Sequence, residues 1–536
     1  MQSPARSIDG VAGEVNLILI AEKVSIVLPP QGVPRRGRRE NCENGGRGAG
    51  SPQRRVPRVP GNTGIAQPWV RSPVSFRGAI NSMSASALNY TYRYPYASGV
   101  VGSAGAQSLR LATCSSGQAH PPFFQGRIEQ PRSVADMLLA LLDVVRSHYF
   151  LPRPPQMDPV VTSNEAMLRF EGFSGCCGVY VRVDLDTSGL QAERLGRGTT
   201  NVDFNLPMRA ALMRLQNHER VEFSVGREAF ALSHGAERVV EKKVSLPLRW
   251  IKGFSEVQAY QPRLLLMAEV TGVEARHFAR SLPLGSVPRQ PSFAVQSGGS
   301  LRLSQRPADG AVRISGLQRL RTLPGLVQRA ERLRIWSDAT AGASAWEVIF
   351  PVGRVTLLVS PEAQRGFSGE GQVLGTLAGN AWQQALPRVR AELRWQNEID
   401  VDRVAAATRL SVAEVEGALA ALGARGLAGY DRATGRYFHR ELPFDLDRVE
   451  ALQPRLLDAR ELLTGSKVRL LQTIDAGGHD FAVDGSEVVH HVRLRAGQDR
   501  CSCPWFSKLQ GERGPCKHIL AARLFLDGAA DVPISS

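Results

Sequence analysis

Between Cys501 and His518 the chain places three of its seven cysteines and a histidine in two short pairs, Cys501-Ser-Cys503 and Cys516-Lys-His518. No other stretch restricts the fold as strongly. Thiolate sulfur and imidazole nitrogen are the donors zinc prefers, and four of them complete the tetrahedron of a structural site. Each pair presents two donors from one piece of backbone, so the twelve residues between the pairs must fold back to unite them. Gly511, Gly514 and Pro515 supply turn chemistry for that return. Beyond His518, Ile519, Leu520 and Leu524 with interposed alanines have the spacing of a short helix packed beside the metal. The competing readings are buried residues without a metal, or a disulfide, which Cys501 and Cys503 are badly placed to form with each other. The expectation is one structural zinc ion held by Cys501, Cys503, Cys516 and His518.

Cys-x-Cys-Pro-Trp-Phe, a spacer, then Cys-Lys-His-Ile-Leu-Ala resembles the SWIM zinc finger, whose pattern is Cys-x-Cys, a variable spacer and Cys-x-His. All four ligand positions match, and Pro504, Trp505 and Lys517 are typical neighbours. With its preceding strands the resemblance covers residues 465–526, a minority of the chain. The rest is similar to bacterial proteins that carry this finger. The resemblance implies a ββα-type zinc module, of the kind found in bacterial ATPases, transposases and plant regulators, that binds DNA or proteins. It implies no reaction.

A length of 536 residues suggests three or more domains. The net charge of +16 invites a nucleic-acid reading, but residues 1–82 hold twelve Lys/Arg against five acids and account for +7 of it. Cys42, Cys114, Cys176 and Cys177 do not form a disulfide framework, which indicates a reducing compartment. Val15–Ile20 is apolar but is cut short by Glu22 and Lys23, too short for a membrane span or a signal sequence. These features predict a cytoplasmic protein.

Residues 1–82 are dominated by Gly, Pro, Arg and Ser and cannot bury enough apolar surface to offset ordering. A basic nucleic-acid arm, a plain disordered tail and an extension upstream of a true start at Met83 remain open, with functionless disorder preferred. From 84 to 380 the pattern is a globular region of α/β or α+β character. Ser133–Tyr149 is an amphipathic helix, and Gly178–Leu185 alternates as a strand. Further strands are expected at 219–232, 236–245 and 263–270, with helices at 206–217 and 273–281. No phosphate loop, dinucleotide fingerprint, His-Glu-x-x-His or nucleophile elbow occurs. Two features keep an enzyme reading alive: Cys177 beside a glycine turn, and the polar loop Gly196–Asn205. The preferred readings are a packed small residue and a self-satisfied turn.

Residues 385–445 give helix, turn, helix and hairpin, the order of a winged helix. Ser411 and Glu414 form a capping box at the start of the second helix. That helix would offer Glu414 and Glu416 to a groove, which favours a structural or protein-binding role over a DNA reader. Arg432, Arg436 and Arg440 on the hairpin are the candidate backbone contacts there. In the finger, Lys508, Arg513 and Lys517 are the candidate nucleic-acid contacts. The whole reads as a multidomain α+β protein: an α/β region, a winged-helix-like module and a ββα-type zinc finger. It is expected to act as a non-catalytic adaptor or regulator that contacts DNA or a protein partner, with zinc as its cofactor.

Overall fold

The computed structural model describes residues 98–529 apart from 104–105, 112, 115–123, 151–157, 165, 187–188, 203, 226–245, 284–290, 339–341, 379–381, 443–452, 475–476 and 496–497. The basic extension and the strand expected at 236–245 lie outside the described residues. Ser82–Ser536 forms one compact unit. No helix among the described residues is long and apolar enough to cross a membrane.

The scaffold is a nine-stranded sheet. Its order is Leu265–Thr271, Arg332–Ser337, Ser344–Phe350, Gly353–Val359, Val179–Asp186, Met167–Phe173, Val160–Asn164, Gly198–Val202 and Thr113–Cys114. Every pairing in it is antiparallel. Of the α/β and α+β characters expected for residues 84–380, this sheet has the second. The strands within 160–186 and those within 332–359 connect by hairpins, which antiparallel neighbours permit and parallel ones do not. A second, five-stranded sheet of mixed direction runs Gly99–Ser103, Ala106–Leu111, Arg220–Val225, Phe124–Ile128 and Ala192–Leu195.

The strand Val179–Asp186 shows how the sheet is buried on both faces. Val179, Val181, Val183 and Leu185 point one way into the apolar core, where helix Pro131–Arg146 packs on the central strands through Val134, Leu138, Leu141 and Val145. Tyr180, Arg182 and Asp184 point the other way and are equally buried. That polar face is covered by the hairpin Ala428–Asp431 and Arg436–His439. Phe438 lies beneath the Arg169 guanidinium at 4.1 Å, and Arg182 and Arg169 both reach Asp431.

The helix–turn–helix–hairpin segment has its own small core of Trp382, Val389, Ile399, Val404, Leu419, Leu422 and Tyr437. Helices Val401–Thr408 and Val412–Ala424 fall where expected, and the Ser411–Glu414 capping box is formed in both directions. Helix Pro454–Thr464 follows, with Pro454 in its first turn, where the missing N–H costs nothing. A four-stranded antiparallel sheet, Val468–Ile474, Gly478–Asp484, Val489–Leu494 and Arg500–Cys501, then carries the finger. Its inner face packs on helix Lys517–Ala529, whose Ile519 and Leu520 join the same continuous core as Leu374 and Leu377.

Candidate metal centre

Strand Arg500–Cys501 brings in the first sulfur, and the chain then turns at once into helix Pro504–Leu509, capped by Cys503. That helix falls inside the spacer that the sequence reading left as turns. Its signal was Pro504, well placed at the first helical position. Cys503 Sγ accepts from the Phe506 N–H at 3.4 Å, and Cys501 Sγ accepts from the Cys503 N–H at 3.4 Å. These contacts fold the first pair into a knuckle with both sulfurs inward. Gln510 at φ 48°, Gly511 at φ +85° and Gly514 at φ +77° reverse the chain. Cys516 and His518 then sit at the entry of helix Lys517–Ala529.

One donor atom from each of Cys501, Cys503, Cys516 and His518 lies within 4.8 Å of the others, and all four residues are buried. Bond lengths of about 2.3 Å to sulfur and about 2.0–2.1 Å to nitrogen imply donor separations of about 3.6–3.8 Å in a filled tetrahedron. His518 Nδ1 is 3.8 Å from Cys501 Sγ. The other ring nitrogen, Nε2, is buried with no hydrogen-bond partner among the described residues. Hydrogen bonding to the Cys503 and Cys516 sulfurs, with burial, holds the Cys501 thiol far above the usual cysteine range. Hydrogen bonds from Cys501 and Cys516 hold Cys503 far below it. Three crowded thiols thus compete for one another's protons, a conflict that a bound dication resolves. The donors fit one zinc ion, and the four residues are positioned to bind it.

The knuckle is bolted to the rest of the unit. Arg455 donates to the Arg513 and Pro515 carbonyls at 2.8 and 3.0 Å and to the Glu370 carbonyl at 3.3 Å. Its guanidinium also lies 4.8 Å over the Trp505 ring. Arg513 donates to the Gly369 carbonyl at 2.7 Å. Gln372 donates to the Gly511 and Glu512 carbonyls at 3.3 and 2.9 Å. Gly514 and Gly371 approach so closely that a Cβ on Gly514 would lie 1.9 Å from the Gly371 oxygen. Behind them, buried Glu256 accepts the N–H groups of Gln372 and Val373. Burial pushes its carboxyl up to about 8, and the charge of Glu370 adds to the effect. No local pattern marks this dock, because Arg455 lies about sixty residues from the knuckle in the chain.

Of the three cations singled out in the finger, Arg513 is spent on this dock and Lys517 pairs with Asp458 at 3.4 Å, while Lys508 is exposed. On the earlier hairpin, Arg440 is fully buried against Glu171, and Arg432 folds over Trp336 at 5.1 Å. Arg436 is exposed, 3.9 Å from Glu398. His490 is half-buried with its ring 4.3 Å from that of His518. His491 is exposed. Phe506 is buried and Trp505 half-buried.

The two features behind the enzyme reading lie on different elements of the large sheet. Cys177, at φ 55°, is fully buried, its thiol set toward the Arg249 carbonyl and its pKa pushed up by burial. The loop at 196–205 is strand Gly198–Val202 running into helix Leu206–Arg214. Thr199 bonds Thr162, and Asn205 caps the helix through the Met208 N–H. Sequence comparison matches residues 490–524 to the SWIM zinc finger. No curated protein matches the chain.

Proposed function

We propose that the protein is a non-catalytic adaptor or regulator, in which zinc organises a C-terminal module that contacts DNA or a protein partner. The observation that carries this reading is the closed, buried Cys501, Cys503, Cys516 and His518 set. Four protein donors leave no position for water or substrate, so the metal serves shape rather than chemistry. The dock through Arg455 and Arg513 holds one side of the module against the core, and the outer face of its four-stranded sheet stays open. The helix, turn, helix and hairpin segment is read as a winged-helix-like module with a structural or protein-binding role. Its hairpin is used up in contacts with the large sheet, and its second helix offers Glu414 and Glu416 rather than cations.

Two measurements on the full-length protein test this reading. Cobalt(II) in place of zinc makes the coordination visible by absorption: a closed site ignores added azide, and a spectrum that responds to azide would overturn the non-catalytic assignment. Binding of random-sequence DNA, weakening steeply with salt, should be lost together with zinc in Cys516→Ser, His518→Ala. A zinc-loaded protein that binds no DNA near physiological salt directs the reading to a protein partner.

A further inference from the structure

The outer face of the finger's sheet carries an arrangement that stability alone does not explain. Gln472, Asp480, Arg493 and Arg500 stand directly opposite one another across all four strands. At the edge-strand end of that row Arg493 and Arg500 are cross-strand partners, both exposed, with Asp480 opposite Arg493 on its other side. Like charges directly opposite on adjacent strands destabilise a sheet. The acids on this face are already committed. Asp480 accepts from Gln472 and from Arg495, each at 2.7 Å, and Asp484 holds Arg469 at 2.8 Å. His491 lies two residues before Arg493 on the same exposed face, about 7 Å away at strand spacing. Arg500 also lines a cleft of about 930 Å³ built mainly from the finger's own residues, whose other arginines, Arg263, Arg495 and Arg523, are already paired with Asp338, Asp480 and Asp499.

We propose that Arg493 and Arg500 form a phosphate-binding pair that seats a nucleic-acid backbone on this face, with His491 beside it. The inference rests on the DNA reading above and names the surface that performs it. Two adjacent guanidinium forks match phosphate oxygens in a bidentate way that lysines would not. The chain's net charge of +16 draws polyanions toward it. An anion between the two arginines also removes the repulsion that the bare sheet carries. Lys508, Arg513 and Lys517 lie off this surface: Arg513 is held by the Gly369 carbonyl and Lys517 pairs with Asp458, and the track runs over the strands instead of the helices.

The test uses full-length, zinc-loaded protein and a labelled random-sequence oligonucleotide, single-stranded and duplex, titrated from about 50 to about 200 mM salt. Arg493→Glu, Arg500→Glu is compared with Lys508→Glu, Arg436→Glu, which changes the net charge equally at exposed cations elsewhere. The first pair should weaken binding at least about tenfold and lower the salt slope by about 2, as the loss of two phosphate contacts requires. The control pair should stay within about threefold. Zinc content near one per chain in both variants shows that the finger remains folded. Equal weakening in the two variants, or unaltered binding in the first, overturns the proposed face while DNA binding stands. Absence of binding by the parent at the lowest salt overturns the face and the DNA reading together.

Discussion

At the scale of single residues, the most consequential group outside the metal centre is Asp431. It sits at the start of the hairpin turn, and its carboxylate meets Arg182 at 2.9 Å, Arg169 at 3.3 Å and Arg354. Asp184 completes the cluster from the strand beneath, bonded to Arg182 and Arg354 at 2.9 and 3.0 Å. Burial draws the Asp431 pKa upward, but the charges of Arg182, Arg354 and Arg169 outweigh it and hold the carboxyl well below the usual range. Asp431→Asn keeps the shape and leaves three buried cations short of a counter-charge. The expected cost is about 3–5 kcal/mol, seen as a lower denaturant midpoint. Because the folded pKa is depressed, the stabilisation is complete above the unfolded value of about 3.9 and disappears as pH falls toward the folded one. The gap between parent and variant should hold from neutral pH to about 4 and narrow below it. A gap that is constant down to the acid transition would show that the carboxylate is not the stabilising charge.

At the scale of elements, the dock between the knuckle and residues 369–373 makes two expectations concrete. Gly514 adopts φ +77° against the Gly371 carbonyl, so Gly514→Ala strains the backbone and forces the two segments apart. The zinc donors are untouched, so metal content should stay near one per chain. Amide exchange in residues 366–375 and 509–516 should quicken together. Exchange that quickens in the knuckle alone would mean the two segments are not coupled. Glu256 adds a pH dependence of known sign. Its folded pKa of about 8 lies above the unfolded value of about 4.3, so the buried carboxylate costs stability progressively as pH rises between the two. Protection of residues 370–375 should decline from about pH 5 to about pH 8 in the parent and remain level in Glu256→Gln.

These elements also mark how far the sequence was readable. The zinc donors, the capping box, helix Pro131–Arg146 and the finger's strands were legible because each rests on residues close in the chain. The dock and the Asp431 cluster were not. In Val179–Asp186, alternating Arg182 and Asp184 have the pattern of a solvated strand face, and the hairpin that covers them begins about 240 residues later. Arg513 reads as an exposed cation for the same reason, since its partner Gly369 is distant in sequence.

At the scale of the whole molecule, the finger is continuous with the rest of the described unit. One apolar core extends from Leu109 on the five-stranded sheet to Ala522 on the last helix, and Leu374, Leu377, Leu456, Ile519 and Leu520 all belong to it. A finger hung on a flexible tether would lose its metal and unfold by itself, leaving the larger sheets unaffected. Here the loss of zinc releases the Cys516–His518 entry to helix Lys517–Ala529, and that helix is a wall of the shared core. Binding of zinc to the folded state alone stabilises by mass action, and its removal withdraws that stabilisation from every element coupled to the site. Chelation should therefore lower the temperature of the main calorimetric transition of the full-length chain, and readdition of zinc should restore it. A separate, small, chelator-sensitive transition below an unchanged main one would show that finger and core unfold independently. In that case the Arg455 and Arg513 contacts would orient the module without coupling its stability to the core.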